Sequence, residues 1–158
     1  VQPGALNARE ALLEAAARVA PQAAARRVQV VVEAPDELPV WCAEENLMSA
    51  LVNLVDNAVK YSPEAGVVQL RAEEEGRQVR LSVTDAGPGI PQKDRERVFE
   101  RFYRVDQGRS RSLGGTGLGL SIVKHAVESS GGHVWVEAPS QGGSCFVIVL
   151  PAPPSSGV

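Results

Sequence analysis

The sequence has few of the residues that build metal centres and disulfide frameworks. It contains two cysteines, Cys42 and Cys145, in no CxxC pattern, and two histidines. These numbers exclude a zinc module and a scaffold of several disulfides, and we expect both cysteines to lie in strands as small apolar residues. No apolar run approaches the roughly 18–20 residues that span a bilayer, and no secretion signal opens the chain at Val1. We therefore expect a piece of a longer protein that makes no direct membrane contact.

The common signatures of phosphate and acyl chemistry are absent as well. There is no GxxxxGK[ST] loop, no GxGxxG fingerprint, no HRD or DFG kinase motif and no nucleophile elbow. The net charge of −3 argues against a general nucleic-acid binder. The length of 158 residues suits one globular domain, which we expect over residues 1–151, with a disordered tail rich in proline and serine at 152–158.

One segment reverses the negative charge of the whole chain. Seven of the sixteen basic residues fall between Lys93 and Arg111, against four acidic residues. A short cationic stretch on an acidic protein indicates either a site for a compact anion such as phosphate or a specific acidic partner. The alternative is a solvated helix with charges of both signs.

Hydrophobic periodicity and turn residues predict three long helices and five main strands. We expect the helices over residues 7–20, with Pro21 marking the exit, over 44–61 and over 117–129, and a short helix from Pro91 through 101. We expect the strands over 27–33, 67–74, 77–84, 133–137 and 144–150, with a short extended piece at 39–42. This order predicts an α+β fold, a two-layer α/β sandwich in which three long helices cover one face of a mixed, mostly antiparallel sheet of about five strands.

Four glycines fall within six residues, at 114, 115, 117 and 119, directly before the third predicted helix. Glycine lets the backbone approach a ligand closely, and the first amides of a helix are unpaired donors with partial positive charge. This arrangement favours a phosphate site. The alternative is a flexible hinge before a helix.

A polar stripe crosses the second predicted helix. Asn53, Asn57 and Lys60 stand at i, i+4 and i+7, so they share one face. Asparagine is a poor helix former, and two of them one turn apart need a reason. Amide oxygens can hold Mg²⁺ directly or through its waters, and Lys60 can meet phosphate oxygens. The alternative is a solvated face that tolerates two asparagines.

A carboxylate, Asp85, directly follows a predicted strand, and Gly87 and Gly89 come shortly after it. A carboxylate held at a strand end can accept a hydrogen bond from an exocyclic amine. The glycines allow a flat ring to approach the backbone. The alternative for Asp85 alone is a turn former.

Together these features resemble the catalytic and ATP-binding domain of sensor histidine kinases, in the Bergerat-type ATPase superfamily. Residues 53–61, 85–90, 98–104 and 114–120 resemble its asparagine box, first glycine box, phenylalanine box and second glycine box, and 131–146 its terminal hairpin. The resemblance implies a kinase that binds Mg-ATP and transfers the γ-phosphoryl group to a histidine. That histidine would lie on a dimerisation and phosphoacceptor domain absent from this chain. The resemblance also implies a response regulator receiver domain as partner and a cytoplasmic location, whether or not the parent protein is membrane-anchored.

The same resemblance implies a role for each matching residue. Asp85 would bind the adenine amino group, Asn57 would be the Mg²⁺ ligand, and Asn53 and Lys60 would lie at the phosphates. Arg104 would reach the γ-phosphate and, with Asn53 and Lys60, complete the catalytic set. Phe99 and Phe102 would anchor the near end of a lid over about 103–115. The remaining nucleotide contacts implied are Tyr61, Gly87, Gly89, Ile90, Gly115, Thr116, Gly117, Leu118, Gly119 and Leu120.

One position bears on the reaction itself. Relatives in the superfamily that hydrolyse ATP have a glutamate one turn before the metal-binding asparagine, where it serves as general base toward water. This chain has Asn53 there, which favours transfer to histidine over hydrolysis. A hydrolytic ATPase and a degenerate domain that only docks partners remain the alternatives. We expect His125 and His133 to be structural, and Glu44 and Glu45 to serve the second helix N-terminus in place of an aspartate at Ala43.

Overall fold

The computed structural model describes residues 2–103 and 119–154. Within these ranges three α-helices occur: α1 (Ala8–Ala25), α2 (Glu44–Tyr61) and α3 (Gly119–Ser129). No helix in the described ranges combines the length and the apolar character that crossing a membrane requires. Two 3₁₀ turns, Gln92–Asp94 and Arg97–Phe99, precede α3. The strands are β1 (Gly4–Asn7), β2 (Gln29–Glu33), β3 (Pro39–Cys42), β4 (Val67–Glu75), β5 (Gln78–Asp85), β6 (His133–Glu137) and β7 (Ser144–Pro151).

Five of the strands form one mixed sheet in the order β2-β4-β5-β7-β6. β2 runs parallel to β4, and the other neighbours are antiparallel. Alternate residues of the sheet, such as Leu70, Leu81 and Ile148, share one buried cluster with helix residues such as Leu12 and Leu51. Each fully buried side chain of this size contributes about 1.5–3 kcal/mol. The expected two-layer α+β sandwich is confirmed.

The opposite face of this sheet carries charged and polar side chains together with Val147 and Val149 of β7, which are buried there. Arg80 lies near the middle, 3.2 Å from Glu137 and 3.8 Å from Glu73, and its guanidinium stacks over Trp135. Apolar and polar residues alternate along β4 and β5, which assigns one face of these strands to the helices and the other to charged and polar side chains.

The first helix differs from the prediction. Pro21 does not end it, because α1 continues to Ala25. The residues after Pro21 are mostly alanine, a strong helix former, and Ala23 is buried against the core. The N–H of Arg26 then closes the helix on the carbonyls of Ala23 and Ala24. Proline removes one helical hydrogen bond here, but the packing of the last turn outweighs that loss.

Three further local predictions were wrong or incomplete. β1 was not predicted, and it pairs with β3, the extended piece at Pro39–Cys42, in a separate two-stranded sheet. The short helix expected from Pro91 through 101 is replaced by the two 3₁₀ turns, so no continuous helix forms over these residues. The second strand begins at Gln29, since Arg27 has a φ of +57°. Both cysteines are free and lie in strands, as expected.

α2 has the bounds that the sequence predicted, and both of its ends are stabilised. Ala43 supplies no side-chain cap, and Glu44 and Glu45 place negative charge in the first turn. At the other end Arg26 reaches across from α1. Its Nε donates to the Val59 carbonyl at 3.0 Å and its Nη2 donates to the Ser62 carbonyl. The C-terminal end of the helix that carries the polar stripe is thereby tied to the end of α1.

Candidate nucleotide-binding site

α2 lies between α1 and α3, and its polar stripe is half-buried. The Asn53 carboxamide donates through Nδ2 to the Ser49 carbonyl at 2.7 Å, and this bond does not engage Oδ1. Lys60 Nζ lies 3.2 Å from Asp56 Oδ2. Asn57 stands between them in the stripe and is partly exposed.

The start of α3 meets this stripe. A Cβ atom added at Gly119, the first residue of α3, would lie 3.4 Å from Asn53 Oδ1. α2 and the first residue of α3 therefore converge, as expected from the sequence. Leu120 is half-buried and packs against the core. The expected contacts at Gly115, Thr116, Gly117 and Leu118 lie outside the described residues.

Asp85 ends β5 and is only 4% exposed, although it carries a carboxylate. Its Oδ1 accepts a hydrogen bond from the Gly87 N–H at 2.8 Å. Burial raises the pKa of Asp85, since desolvation penalises the charged form. The backbone N–H groups of Gly87 and Ser144 oppose this by favouring the carboxylate. A buried carboxylate of this kind can accept a hydrogen bond from an amine, and that bond offsets part of the cost of burying the charge.

Glycines bring three backbone segments together around Asp85. A Cβ at Gly87 would lie 2.4 Å from the Tyr61 carbonyl oxygen, so the loop after β5 rests on the end of α2. Gly143 has a φ of +82°, and a Cβ there would lie 2.0 Å from the Asp85 carbonyl oxygen. Gly89 also has a φ of +82° and lies against the Gly143 carbonyl. Only glycine allows these approaches.

Sequence reasoning missed two residues of this site. Gly143 and Ser144 were recognised as part of a terminal hairpin but were given no role. Ser144 is buried and pairs with Asp85 across β5 and β7. The available signal was a glycine pair directly before a strand, which indicates a tight approach of that strand end to another backbone.

The segment after the first glycine loop is fixed by its own side chains. Ile90 packs against the core, and its carbonyl accepts a hydrogen bond from Arg95 Nε at 3.2 Å. Phe99 is buried edge-to-face against Phe146, with ring centroids 6.0 Å apart. The expectation that Phe102 also anchors this segment was wrong, because Phe102 is 63% exposed.

Tyr103 ends the described part of this segment. Its hydroxyl donates a hydrogen bond to Asp94, a buried carboxylate, and this bond raises the pKa of Tyr103. Arg97 stacks over the Tyr103 ring at 4.6 Å. The described part of the cationic stretch thus makes local contacts, as in the alternative of a mixed-charge segment. Arg104, the expected γ-phosphate ligand, lies outside the described residues.

The donor set agrees with a magnesium ion that arrives with its nucleotide. No group of three or more His, Cys, Asp or Glu side chains suited to a metal occurs in residues 2–103 and 119–154. Mg²⁺ is commonly held by one or two protein oxygens together with substrate phosphates and water. The amide oxygen of Asn57 fits that pattern, since it stands one turn after Asn53, whose side chain lies against the start of α3.

An open cleft of about 750 Å³ runs along α1 and α2 and reaches Asn53. Its lining includes Glu44 and Glu45 but neither Asp85 nor Lys60. Arg18 also lines the cleft, and Asn53 is the described residue that it shares with the candidate site. The two carboxylates outweigh the single Arg18 charge, so the cleft offers a triphosphate no net attraction.

Comparisons with known proteins agree with this geometry. Residues 42–154 match the model of the family described as histidine kinase-, DNA gyrase B- and HSP90-like ATPase. The chain is 44% identical over 125 residues to the sensor-like histidine kinase SenX3 of Mycobacterium tuberculosis (strain ATCC 25618 / H37Rv), which covers 79% of this chain. The match spans only 30% of SenX3. This chain is therefore similar to one part of a longer sensor protein.

Solved structures give the same result. The mycobacterial sensor histidine kinase MprB is 33% identical, with a TM-score of 0.82, over 98% of this chain and 99% of that one. ThkA in complex with the response regulator protein TrrA is 26% identical, with a TM-score of 0.81, over 98% of this chain and 43% of that one. From the family match, these likenesses and the converging site, the chain belongs to the histidine kinase-, DNA gyrase B- and HSP90-like ATPases and is a catalytic ATP-binding domain of the histidine kinase type.

Proposed function

We propose that this domain binds Mg-ATP between α2, the loop after β5 and the start of α3, and passes the γ-phosphoryl group to a histidine on a separate dimerisation and phosphoacceptor domain. The observation that carries the proposal is the approach of Gly119 to Asn53 Oδ1. It brings the asparagine side chains of α2 close to the unpaired backbone N–H groups at the N-terminus of α3, so that one triphosphate can contact both helices. The proposal treats residues 1–151 as one catalytic domain, acting in the cytoplasm where ATP is available.

The adenine end of the site is assigned to Asp85 and its surroundings. The carboxylate accepts a hydrogen bond from the exocyclic amine, which satisfies a charge that is otherwise buried. Gly87 and Gly89 leave room for the ring beside the backbone, and Ile90 and Tyr61 flank it. A guanine base presents a carbonyl oxygen at the corresponding position and would be rejected, because two acceptors would then face each other.

The phosphate end is assigned to the polar stripe and the start of α3. Asn57 supplies an oxygen ligand to Mg²⁺, which would neutralise phosphate charge in the reacting complex. Lys60 and Asn53 lie one turn to either side and contact the phosphates. Backbone amides at Gly119 and Leu120 donate to the same oxygens, together with those of Gly115, Thr116, Gly117 and Leu118.

The transfer step needs position and charge neutralisation more than a base. A neutral imidazole nitrogen of the acceptor attacks the γ-phosphorus, and the bond from that phosphorus to the bridging oxygen breaks, so ADP leaves with the electron pair. Lys60 and Arg104 offset the charge on the transferred group. The Asn53 carboxamide accepts no proton at neutral pH, so attack by water is not promoted.

Two other functions fit parts of the same site. A hydrolytic ATPase would share the fold, but Asn53 stands where such enzymes need a carboxylate. A degenerate module would bind nucleotide and only dock partners, and the buried Asp85 argues against degeneration because an unused buried carboxylate is costly. The complex of ThkA with TrrA supports a response regulator receiver domain as a further partner.

The experiment combines this chain with an isolated acceptor domain that contains a phosphoacceptor histidine and with ATP labelled at the γ-phosphate. We expect label on the acceptor and little free phosphate without it. Asn57→Ala should abolish both Mg²⁺-dependent ATP binding in calorimetry and transfer. Arg104→Ala should keep nucleotide affinity and slow transfer. Rapid phosphate release without acceptor would support the ATPase, and tight binding without transfer would support the docking module.

A further inference from the structure

An ion pair links two residues of the polar stripe. Lys60 Nζ lies 3.2 Å from Asp56 Oδ2, and the two side chains are 37% and 29% exposed. Lys60 is the only basic residue in the sequence of α2. The one positive charge that this helix offers to an anion is therefore already paired with a carboxylate.

The carboxylate belongs to the phosphate side of the helix. Counting from Asn53, Asp56 stands at i+3, Asn57 at i+4 and Lys60 at i+7, so the four side chains share an arc of about 100°. Asp56 lies next to Asn57 in the chain and one turn from Lys60 in space. A triphosphate bound along this arc comes within a few ångströms of the Asp56 charge.

The pair changes which form of the nucleotide the helix attracts. With Lys60 neutralised by Asp56, the arc has no net charge to draw in a bare triphosphate. The described residues also lack a cluster of ligands that could hold a metal before the nucleotide arrives. We propose that Asp56 is a specificity-determining residue that makes the site select the metal-chelated triphosphate over the free one. This inference rests on the proposed function of the site.

The expected effect is a loss of metal dependence when the carboxylate is neutralised. Asp56→Asn keeps the size and a hydrogen-bonding group but frees Lys60. Binding of metal-free ATP should tighten by about 5- to 10-fold, because a negative charge near four phosphate charges is removed. Binding of Mg-ATP should tighten by only about 2- to 3-fold, since the ion offsets two of the four charges. The measured quantity is the dissociation constant for metal-free ATP divided by that for Mg-ATP, called the ratio below.

The test uses the whole chain and ATP, by calorimetry, once with excess Mg²⁺ and once with EDTA. Asp56→Glu keeps the charge and should keep the wild-type ratio. Glu45→Gln removes one charge from the same helix about 16 Å away, beyond the screening length at physiological salt, and should also keep it. Circular dichroism melts check that each variant is folded.

Lys60→Met provides an independent arm with the opposite expectation. It leaves Asp56 unpaired, so metal-free ATP should bind more weakly and the ratio should rise. In the double variant Asp56→Asn with Lys60→Met, the two effects should not add, because each residue acts partly through the other. This arm tests the inference even where Asp56→Asn fails to fold.

The outcomes separate this inference from the function beneath it. Wild-type protein that does not bind Mg-ATP would overturn the proposed function. Wild-type protein that binds Mg-ATP, with the same ratio in Asp56→Asn or no rise in Lys60→Met, would overturn the selective role of Asp56 alone. Additive effects in the double variant would also contradict it.

Discussion

Gly143 offers a sharp test of the way the adenine end of the site is built. A methyl group there would place Cβ 2.0 Å from the Asp85 carbonyl oxygen, whereas real Cβ contacts are essentially never under 3.0 Å. Gly143→Ala must therefore push the end of β7 away from Asp85 by about 1 Å or more. The displacement breaks the pairing of Asp85 with Ser144 and removes an N–H that favours the carboxylate.

The neighbouring glycine supplies a matched control. Gly142 has a φ of +94° and Gly143 one of +82°, but a Cβ at Gly142 would meet nothing within 4 Å. Alanine at either position bears the penalty of a left-handed backbone, about 1–2 kcal/mol. Only Gly143→Ala adds the steric overlap and the lost hydrogen bonds, about 2–4 kcal/mol more.

The assay measures the free energy of unfolding by urea and the affinity for Mg-ATP by calorimetry. Gly142→Ala should lower the free energy of unfolding by about 1–2 kcal/mol and leave the dissociation constant for Mg-ATP within about 2-fold. Gly143→Ala should lower stability further and weaken ATP at least about 10-fold, since 1.4 kcal/mol corresponds to a factor of ten. Equal effects of the two substitutions would refute the argument that backbone contact at Gly143 positions Asp85.

Two more predictions concern stability. Arg26→Ala removes two charge-assisted hydrogen bonds to the end of α2 and should lower the free energy of unfolding by about 2–3 kcal/mol. The control is Arg27→Ala, whose side chain is 79% exposed and 3.9 Å from Glu64, and it should change the free energy of unfolding by less than about 0.5 kcal/mol. Equal losses for the two variants in urea unfolding would contradict this prediction. The raised pKa of Asp85 means that its carboxyl group binds a proton more tightly in the folded state than in the unfolded state. The free energy of unfolding should therefore fall as pH rises from the ordinary pKa of 3.8 through the raised value. Asp85→Asn should therefore be more stable than wild type at about pH 7, with a gap that narrows toward about pH 4, while ATP affinity falls severely; a gap that widens on acidification would contradict the sign.

The elements that the sequence predicted well are those whose pattern and packing agree. α2 was predicted over 44–61 and spans Glu44–Tyr61, because Leu47, Leu51, Leu54 and Ala58 recur at helical spacing and all are buried. β1 carries no such pattern in four residues and is defined only by its partner β3. The continuation of α1 past Pro21 depends on the burial of Ala23, which is a tertiary contact that local propensity does not contain.

The two ends of the candidate site are held by different forces, and this decides what a sequence can predict. At the proposed phosphate end the recognisable groups are side chains at fixed helical spacing, so the spacing of Asn53, Asn57 and Lys60 marked them as candidates and the family resemblance gave them roles. At the adenine end Asp85 was found because a carboxylate after a strand is conspicuous. Its position, however, is set by backbone contacts that Gly87 and Gly143 permit by lacking a side chain. A residue that acts by leaving space has no chemistry to identify it until the segments that fill that space are known, so Gly143 had to come from the structure.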